Sequence, residues 1–242
     1  MDRERGNERE RAGESPRSST PGPSLKYPDR KQFYRDSYVA GTYDAHRFES
    51  RKRKRRNARK WRTIVRALAH TEDVQSVLDL PCGTGRFTGK LAELGKTVVA
   101  SDISMEMMAV AHQAEERVDG ILGYVQADSE NLSIADDAVD CIVSIRFVQH
   151  LDPAARRAIF REFARVTRRW VIIDFRVQHS FRYWSTRVRR AVRLTQRSLP
   201  QLSRRTIEED LEQAGMRVRA IVPVARYFSD KWIVVCELAH FA

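Results

Sequence analysis

The spacing of apolar residues predicts that the chain alternates between amphipathic helices and short buried strands. One stripe at helical spacing consists of Trp61, Ile64, Val65 and Leu68. Continued towards the N-terminus, the same stripe meets only polar residues, so the apolar face ends there. We predict a helix whose C-terminal half packs on the protein and whose N-terminal half, with the six cations of Arg51–Arg56, faces solvent.

The segment QSVLDLPCGTGRFTGKLAELGKTVVASDIS has the pattern of a strand, a turn, a helix and a second strand. A glycine turn and an amphipathic stretch separate its two aliphatic runs, and the second run ends at Asp102. The runs ILGYVQAD, VDCIVSIRF and WVIIDF predict three further strands. Strands and helices therefore alternate through the middle of the chain.

A helix is predicted between the last two of these runs. Asp152 and Pro153 have the residue types of an N-cap and a first-turn proline. Its apolar stripe is expected to be buried, with four arginines mostly off that stripe. The stripe is Ala155, Ile159, Phe163 and Val166, and the arginines are Arg156, Arg157, Arg161 and Arg165.

The C-terminal segment predicts a short helix followed by two strands. Thr206 with Glu209 fits a capping box for a helix that ends near Gly215. The run RVRAIVPVARYFSDKWIVVCEL then reads as two strands around Ser229 and Asp230. Alternating strands and helices with such an ending indicate an α/β fold, a doubly wound, mostly parallel sheet with one antiparallel strand.

Composition adds three segments to this picture. Residues 1–32 are charged, rich in Ser, Pro and Gly and poor in aliphatic side chains, which predicts a disordered basic tail. Residues 33–72, with five aromatic side chains within 33–48, are expected to form an N-terminal lid and the first helix. Residues 73–242 are expected to form the main domain, with a basic helical insertion at about 178–204.

The charge is unevenly distributed along the chain. The formal net charge is +12, made up of +9 in residues 1–60, −3 in residues 61–180 and +6 in residues 181–242. An anionic partner would therefore meet the flanks. Three widely spaced cysteines support neither a disulfide framework nor a zinc site, and no apolar run has the length of a membrane span. A cytoplasmic protein without a transmembrane segment is expected.

The glycine turn carries the first indication of chemistry. Gly83 and Gly85 follow a predicted strand and open a helix, a context in which a ligand approaches the backbone. Asp102 lies seventeen residues after Gly85, at the end of the next strand, where a carboxylate binds ribose hydroxyls. Thr88 stands where a dinucleotide fingerprint has its third glycine, so a different nucleoside is favoured.

Two further aspartates favour a nucleoside that bears an amino acid. Asp79 ends the first strand, where its carboxylate is placed to accept from an ammonium group. Asp128 ends the third strand and is placed to accept from an adenine amino group.

As an ordered set, VLDLPCGTGRFT, VVASDIS, VQADSENLSIADDAVD and CIVSIRFVQHLDP resemble the motifs of class I S-adenosylmethionine-dependent methyltransferases. The resemblance covers about residues 39–238, and VAGTYDAHRF is similar to the N-terminal segment of the ubiquinone and menaquinone C-methyltransferases. It implies a seven-stranded Rossmann-like sheet. The chain departs from the family pattern at Pro81, which replaces the usual first glycine, and SIRF stands where DNA adenine methylases have Asn/Asp-Pro-Pro-aromatic.

The resemblance also implies the residues that hold S-adenosylmethionine. Asp79 and Gly83 are expected at the methionine end, Asp102 at the ribose and Asp128 at the adenine, with Ile103 either on the adenine face or in the core. The full expected cofactor set is Asp79, Pro81, Cys82, Gly83, Thr84, Gly85, Asp102, Ile103, Asp128, Ser129 and Arg146. No metal ligand is expected.

Three residues are candidates for acting on the acceptor. His150 is either a general base or a locally hydrogen-bonded residue at a helix start. Arg146 either binds an anionic acceptor or pairs with a neighbouring acid. Tyr43 either contacts the acceptor from the lid or packs there. The insertion is a cationic amphipathic helix that either covers the acceptor or packs on the sheet with a solvated basic face.

The leading hypothesis is a methyltransferase that moves a methyl group to a small or lipid-like acceptor by in-line displacement, and the basic insertion leaves an anionic acceptor open. The basic flanks leave peripheral membrane contact open. An RNA methyltransferase is the second hypothesis, with nucleic acid as the less favoured partner because no separate RNA-binding module is recognisable. A non-catalytic cofactor-binding scaffold is the third.

Overall fold

The computed structural model describes residues 51–178, 201–225 and 229–241. The predicted tail, the lid with Tyr43 and most of the predicted basic insertion lie outside these residues. Within them, seven strands form one sheet: β1 Ser76–Asp79, β2 Thr97–Asp102, β3 Ile121–Gln126, β4 Val139–Ser144, β5 Thr167–Arg176, β6 Met216–Pro223 and β7 Lys231–Leu238.

Within the described residues, five α-helices and two 3₁₀ turns accompany these strands. The helices are α1 Arg51–Leu68, α2 Thr88–Ala92, α3 Met105–Glu115, α4 Pro153–Val166 and α5 Arg204–Glu212, and the 3₁₀ turns are Val148–His150 and Ala239–Phe241. Across the described ranges no helix has both the length and the apolar character that crossing a bilayer requires.

The strand order is β3-β2-β1-β4-β5-β7-β6. Neighbours from β3 to β5 are parallel, whereas β7 runs antiparallel to both β5 and β6. The predicted α/β class, the doubly wound sheet and the one antiparallel strand are confirmed. The order reverses between β1 and β4, and in open α/β sheets such a reversal leaves a crevice at the carboxyl ends of the strands.

Both faces of the sheet are covered by helices. Ile64 and Ala67 of α1 and Leu91 of α2 are buried against one face. Phe160 and Phe163 of α4 are buried against the other, where α5 also packs. Burial on both faces explains why the central strands are continuous aliphatic runs rather than alternating ones.

Helix α1 begins at Arg51, and Arg51, Lys54, Arg55 and Arg56 are exposed, as predicted for the cationic half. The buried stripe differs slightly from the predicted one. Thr63, Ile64 and Ala67 are buried, whereas Trp61, Val65 and Leu68 are half-buried. Lys60 extends the buried side of the helix by one turn, because Asp174 of β5 neutralises its charge.

Helix α4 has the predicted start, since the Asp152 carboxylate accepts from the backbone amides of Ala154 and Ala155 and Pro153 is in the first turn. The predicted stripe is buried as well. The prediction that Arg156 lies mostly off the buried face is wrong. Its guanidinium is buried because its Nε donates to Asp210 Oδ2 of α5 at 2.8 Å.

Helix α5 starts one turn before the predicted capping box. Ser203 is the N-cap, and its hydroxyl accepts from the amide of Thr206 at 3.0 Å. Thr206 is therefore inside the helix. The additional turn is stabilised by two ion pairs at i,i+4 spacing, Arg204–Glu208 and Arg205–Glu209, which a start at Thr206 would not allow.

Candidate functional site

The glycine turn joins β1 to α2 and lies against the end of β2. Gly83 and Gly85 both have left-handed backbones, with φ of 58° and 77°. This conformation strains any residue with a Cβ, which explains glycine at both positions. The turn is held by its own amides: Cys82 N donates to Ser101 O at 2.9 Å and Gly83 N donates to Asp102 Oδ2 at 2.8 Å.

Asp102 is buried at the end of β2 and orients the turn with both carboxylate oxygens. Its Oδ2 accepts from Gly83 N, and its Oδ1 accepts from Ser104 N at 3.0 Å. Burial raises the pKa of this carboxyl, while the backbone hydrogen bonds oppose the shift. Each carboxylate oxygen can accept a further hydrogen bond, so the group is able to bind two hydroxyls as well.

Asp79 ends β1 directly beneath the turn and is also buried. Its Oδ2 accepts from the Thr88 hydroxyl at 2.8 Å. Burial raises the pKa of Asp79 to about 7, and the Thr88 hydrogen bond only partly offsets this shift. A carboxylate in this environment is stabilised by a cationic ligand.

Asp128 and Ser129 follow β3 at the same edge of the sheet. The Asp128 Oδ1 accepts from Glu130 N at 3.1 Å, and the backbone of Asp128 forms an isolated bridge with Asn131. Ser129 is buried beside it. Three successive parallel strands thus each end in an aspartate at the same edge, Asp79 in β1, Asp102 in β2 and Asp128 just after β3.

These groups line one cavity of about 990 Å³, part of which is open to solvent. Its walls come from the glycine turn, the ends of β2 and β3, and the segment after β4. They are Asp79, Pro81, Cys82, Gly83, Thr84, Arg86, Phe87, Asp102, Ile103, Met107, Asp128, Ser129, Ile145, Arg146, Phe147 and His150.

The segment after β4 supplies the opposite wall. Arg146 has a left-handed backbone, with φ of 67°, and its amide donates to Asp174. His150 ends the 3₁₀ turn, where its Nε2 lies 3.3 Å from Gln149 Nε2. Ile145 and Phe147 add an apolar surface between these two polar side chains.

The middle of the chain also matches known proteins. Residues 77–169 match a family model described as a methyltransferase domain. The chain contains a class I S-adenosylmethionine-dependent methyltransferase domain. The matched residues run from β1 to the start of β5 and include all three aspartates at the strand ends.

Two named relatives are each similar to less than half of the chain. A malonyl-[acyl-carrier protein] O-methyltransferase of Pectobacterium atrosepticum is 39% identical over 101 residues, which is 41% of this chain and 37% of the relative. A demethylmenaquinone methyltransferase of Paenarthrobacter aurescens is 35% identical over 121 residues, 48% of this chain and 45% of the relative. The chain thus spans less than half the length of these relatives.

A solved structure supports the fold over a longer range. The magnesium protoporphyrin IX methyltransferase of Synechocystis PCC 6803, with bound SAH, superposes with a TM-score of 0.65 at 20% sequence identity. The match covers 86% of this chain and 99% of that chain. At this identity the likeness concerns the fold alone, and it extends the similarity beyond residues 77–169.

The cavity of the methyltransferase domain brings together ten of the eleven residues predicted for the cofactor, and also His150. Tyr43 lies outside the described residues. Five lining residues were missed, Arg86, Phe87, Met107, Ile145 and Phe147. Arg86 and Phe87 lie within the motif VLDLPCGTGRFT, and Ile145 and Phe147 lie within CIVSIRFVQHLDP, whereas Met107 is indistinguishable in the sequence from a core residue.

Gly85 is the predicted cofactor residue that does not line the cavity of the methyltransferase domain. A Cβ on Gly85 would lie 2.7 Å from Glu115 Oε2 and 2.9 Å from the Ala111 Cβ, so this glycine allows α3 to pack against the turn. Glu115 also accepts from Gly89 N at 2.6 Å and from the Tyr124 hydroxyl at 2.7 Å. Its carboxylate therefore fixes the start of α2 from behind the turn.

Gly85→Ala tests this packing role, with Gly95→Ala as the matched control. Both glycines have φ of 77°, but a Cβ at Gly95 meets nothing within 4 Å. The left-handed backbone should cost each variant about 1–2 kcal/mol of unfolding free energy. We expect Gly85→Ala to lose more than this in urea denaturation and to bind S-adenosylhomocysteine more weakly. Equal losses in the two variants would contradict the packing role.

Proposed function

We propose that the protein is an S-adenosylmethionine-dependent methyltransferase that moves a methyl group to a small or lipid-like, anionic acceptor by in-line displacement. The observation that carries the proposal is the placement of Asp79, Asp102 and Asp128 at successive strand ends around one glycine turn, all lining one cavity. The methyltransferase family match over residues 77–169 supports it.

The chemistry of the cavity fits the methyl donor. Asp79 is a buried carboxylate that a cation stabilises, and we assign it to the ammonium group of the methionine moiety, next to the Gly83 backbone. We assign Asp102 to the ribose hydroxyls, since both of its oxygens retain acceptor capacity. Asp128 is assigned to the adenine amino group, with Ile103 against the adenine face.

S-adenosylmethionine supplies a methyl group on a sulfonium, which is already activated for displacement. The protein therefore has mainly to align the acceptor, and alignment contributes up to roughly 7–11 kcal/mol in such reactions. The apolar surface of Ile145 and Phe147 excludes water from this end of the cavity. Pro81, Cys82, Thr84 and Ser129 are assigned to the walls that enclose the donor.

His150 is assigned as the general base and Arg146 as the group that binds the acceptor's negative charge. Both residues line the cavity. If the acceptor is a hydroxyl or an activated carbon, the His150 imidazole takes the proton that the acceptor releases as its bond to the methyl group forms. The named relatives act on malonyl-[acyl-carrier protein] and demethylmenaquinone, which supports an acceptor of this kind.

Two measurements test the proposed function. Calorimetry with S-adenosylhomocysteine should detect binding by the full chain, and the absence of binding would favour the scaffold hypothesis. Transfer of a labelled methyl group should then be followed in cell extract separated into lipid, small-molecule and RNA fractions. Label in the lipid or small-molecule fraction is expected, whereas label in RNA alone would overturn the proposed acceptor class.

Asp79 should make cofactor binding depend on pH. Its pKa of about 7 means that at about pH 6 most of the carboxyl is protonated and does not pair with an ammonium group. We expect S-adenosylhomocysteine affinity to rise about eightfold between about pH 6 and pH 7.5, because Asp79 ionises over this range. Calorimetry should show no such rise for Asp79→Asn, and a flat profile for wild type would contradict the assignment.

Asp79 also makes the stability of the folded state depend on pH. The pKa of Asp79 is raised in the folded state, from 3.8 to about 7, so the folded state holds its proton more strongly than the unfolded state. The resulting stabilisation is fully present at low pH and is lost as the pH rises through about 7. A bound ammonium group would offset this loss.

A further inference from the structure

A buried ion pair lies next to the segment after β4 that lines the cavity. The Lys60 ammonium of α1 donates to Asp174 Oδ2 of β5, and the two residues are 5% and 2% exposed. Neither residue lines the cavity. An effect of the pair on the site therefore has to pass through a neighbouring residue.

That neighbour is Arg146. The second carboxylate oxygen of Asp174, Oδ1, accepts from the Arg146 amide. Arg146 is one of three non-glycine residues with positive φ among the described residues, and its side chain lines the cavity. A left-handed backbone is unfavourable for arginine and persists where surrounding contacts determine it. Asp174 supplies such a contact, and Lys60 holds Asp174.

We infer that the Lys60–Asp174 pair is a positioning device that fixes the backbone of Arg146 and thereby sets the acceptor affinity of the site. The inference rests on the proposed function. Lys60 and Asp174 do not touch the reacting groups in this assignment, and they connect helix α1 to the acceptor end of the cavity rather than to the donor end.

The local charges favour an anionic acceptor at this position. Lys231, at the start of β7, also lies near the pair. Burial and the charge of Lys60 lower its pKa to about 7, and the charges of Arg146 and Arg176 act in the same direction. Asp174 opposes them, while Arg176 is paired with Asp230. Cationic groups thus outnumber the Asp174 carboxylate around Arg146, so an acceptor that brings a negative charge is stabilised.

The test uses a neutral double variant and a matched control. Lys60→Met alone leaves Asp174 buried without its partner and is expected to destabilise the fold, so Lys60→Met/Asp174→Asn is the main variant. The amide oxygen of the new side chain retains an acceptor for Arg146 N. Arg156→Met/Asp210→Asn neutralises an equally buried pair, neither residue of which lines the cavity, and serves as control. Lys60→Arg is the conservative rescue.

Three readouts distinguish a positioning role from a structural one. Hydrogen exchange of the Arg146 amide, followed by NMR, should become about tenfold faster in the main variant, because the acceptor of this amide is then neutral and the hydrogen bond is weaker than one to a charged group. The apparent KM for the extract fraction that wild type methylates should rise about tenfold, with a smaller change in kcat. S-adenosylhomocysteine affinity should stay within about threefold of wild type.

The control variant should leave the exchange rate of the Arg146 amide and the apparent KM unchanged. Lys60→Arg keeps a cation next to Asp174 and should match wild type in both. The inference is overturned if exchange or KM is unaffected in the main variant, or if the control changes them equally. Wild-type protein that binds no S-adenosylhomocysteine and transfers no label would instead refute the proposed function. In that case the hydrogen exchange of the Arg146 amide alone decides whether the pair positions this residue.

Discussion

Asp102→Ala is expected to weaken S-adenosylhomocysteine binding by about 100-fold or more. The proposed role gives this carboxylate two hydrogen bonds to ribose hydroxyls, and hydrogen bonds to a charged group contribute about 1.5–3 kcal/mol each. The variant also removes the acceptor for Gly83 N, which orients the glycine turn. Calorimetry measures the loss, and urea denaturation separates it from any loss of stability.

Asp140→Ala is the matched control for this experiment. Asp140 also accepts from backbone amides, those of Gln75 and Ser76, but it lies at the amino end of β4, away from the cavity. We expect this variant to lose stability while retaining cofactor affinity. An Asp102→Ala protein that binds as tightly as Asp140→Ala would refute the assignment of Asp102 to the ribose.

Arg156→Met is expected to cost about 3–5 kcal/mol of unfolding free energy, because it leaves the Asp210 carboxylate buried without its partner. The two residues are each 4% exposed and join α4 to α5 on one face of the sheet. Arg157 Nη1 lies 3.6 Å from Asp210 Oδ1 and is too exposed to replace the buried guanidinium fully. Urea denaturation measures the loss.

An exposed arginine provides the comparison for this prediction. Arg205 pairs with Glu209 on the surface of α5, with the arginine side chain 88% exposed. Arg205→Met should therefore leave the unfolding free energy unchanged within error, since solvent screens such pairs. If Arg156→Met were as mild as Arg205→Met, the buried pair would not be the link between the two helices that its geometry indicates.

The sequence predicts the strands and the three aspartates well, for a local reason. A parallel sheet buried on both faces needs aliphatic runs, and these are visible without knowledge of their neighbours. A carboxylate that ends such a run lies at the carboxyl edge of the sheet, so Asp79, Asp102 and Asp128 are placed together by the fold class alone.

The ion pairs could not be predicted because they join residues far apart in sequence. Lys60 and Asp174 are separated by 114 positions, and Arg156 and Asp210 by 54. Each charged residue alone has the pattern of a solvated helix face or a strand end. Hydrophobic periodicity therefore placed the apolar stripe of α1 correctly to within one position and assigned Arg156 to the wrong surface.

The glycine turn shows a second limit, which concerns assigning roles to residues from a motif alone. Gly83 and Gly85 look equivalent in GTG, yet Gly83 lines the cavity and Gly85 accommodates α3. The contact that distinguishes them involves Glu115, thirty residues later. At α5 the ambiguity is local instead, because Ser203 and Thr206 both have a hydroxyl suitable for an N-cap, and only the structure shows that the Thr206 amide donates to the Ser203 hydroxyl.

The position of α1 in the sheet has a consequence for dissecting the protein. Ile64 and Ala67 share one buried cluster with Val77 of β1, Ile172 of β5 and Val235 of β7. The cooperative folding unit therefore extends in both directions beyond the matched residues 77–169. That segment produced alone would expose the faces that α1, β7 and α5 cover, and we expect it to aggregate rather than to fold. A stable fragment has to include the buried part of α1, from Lys60 onwards, and β7.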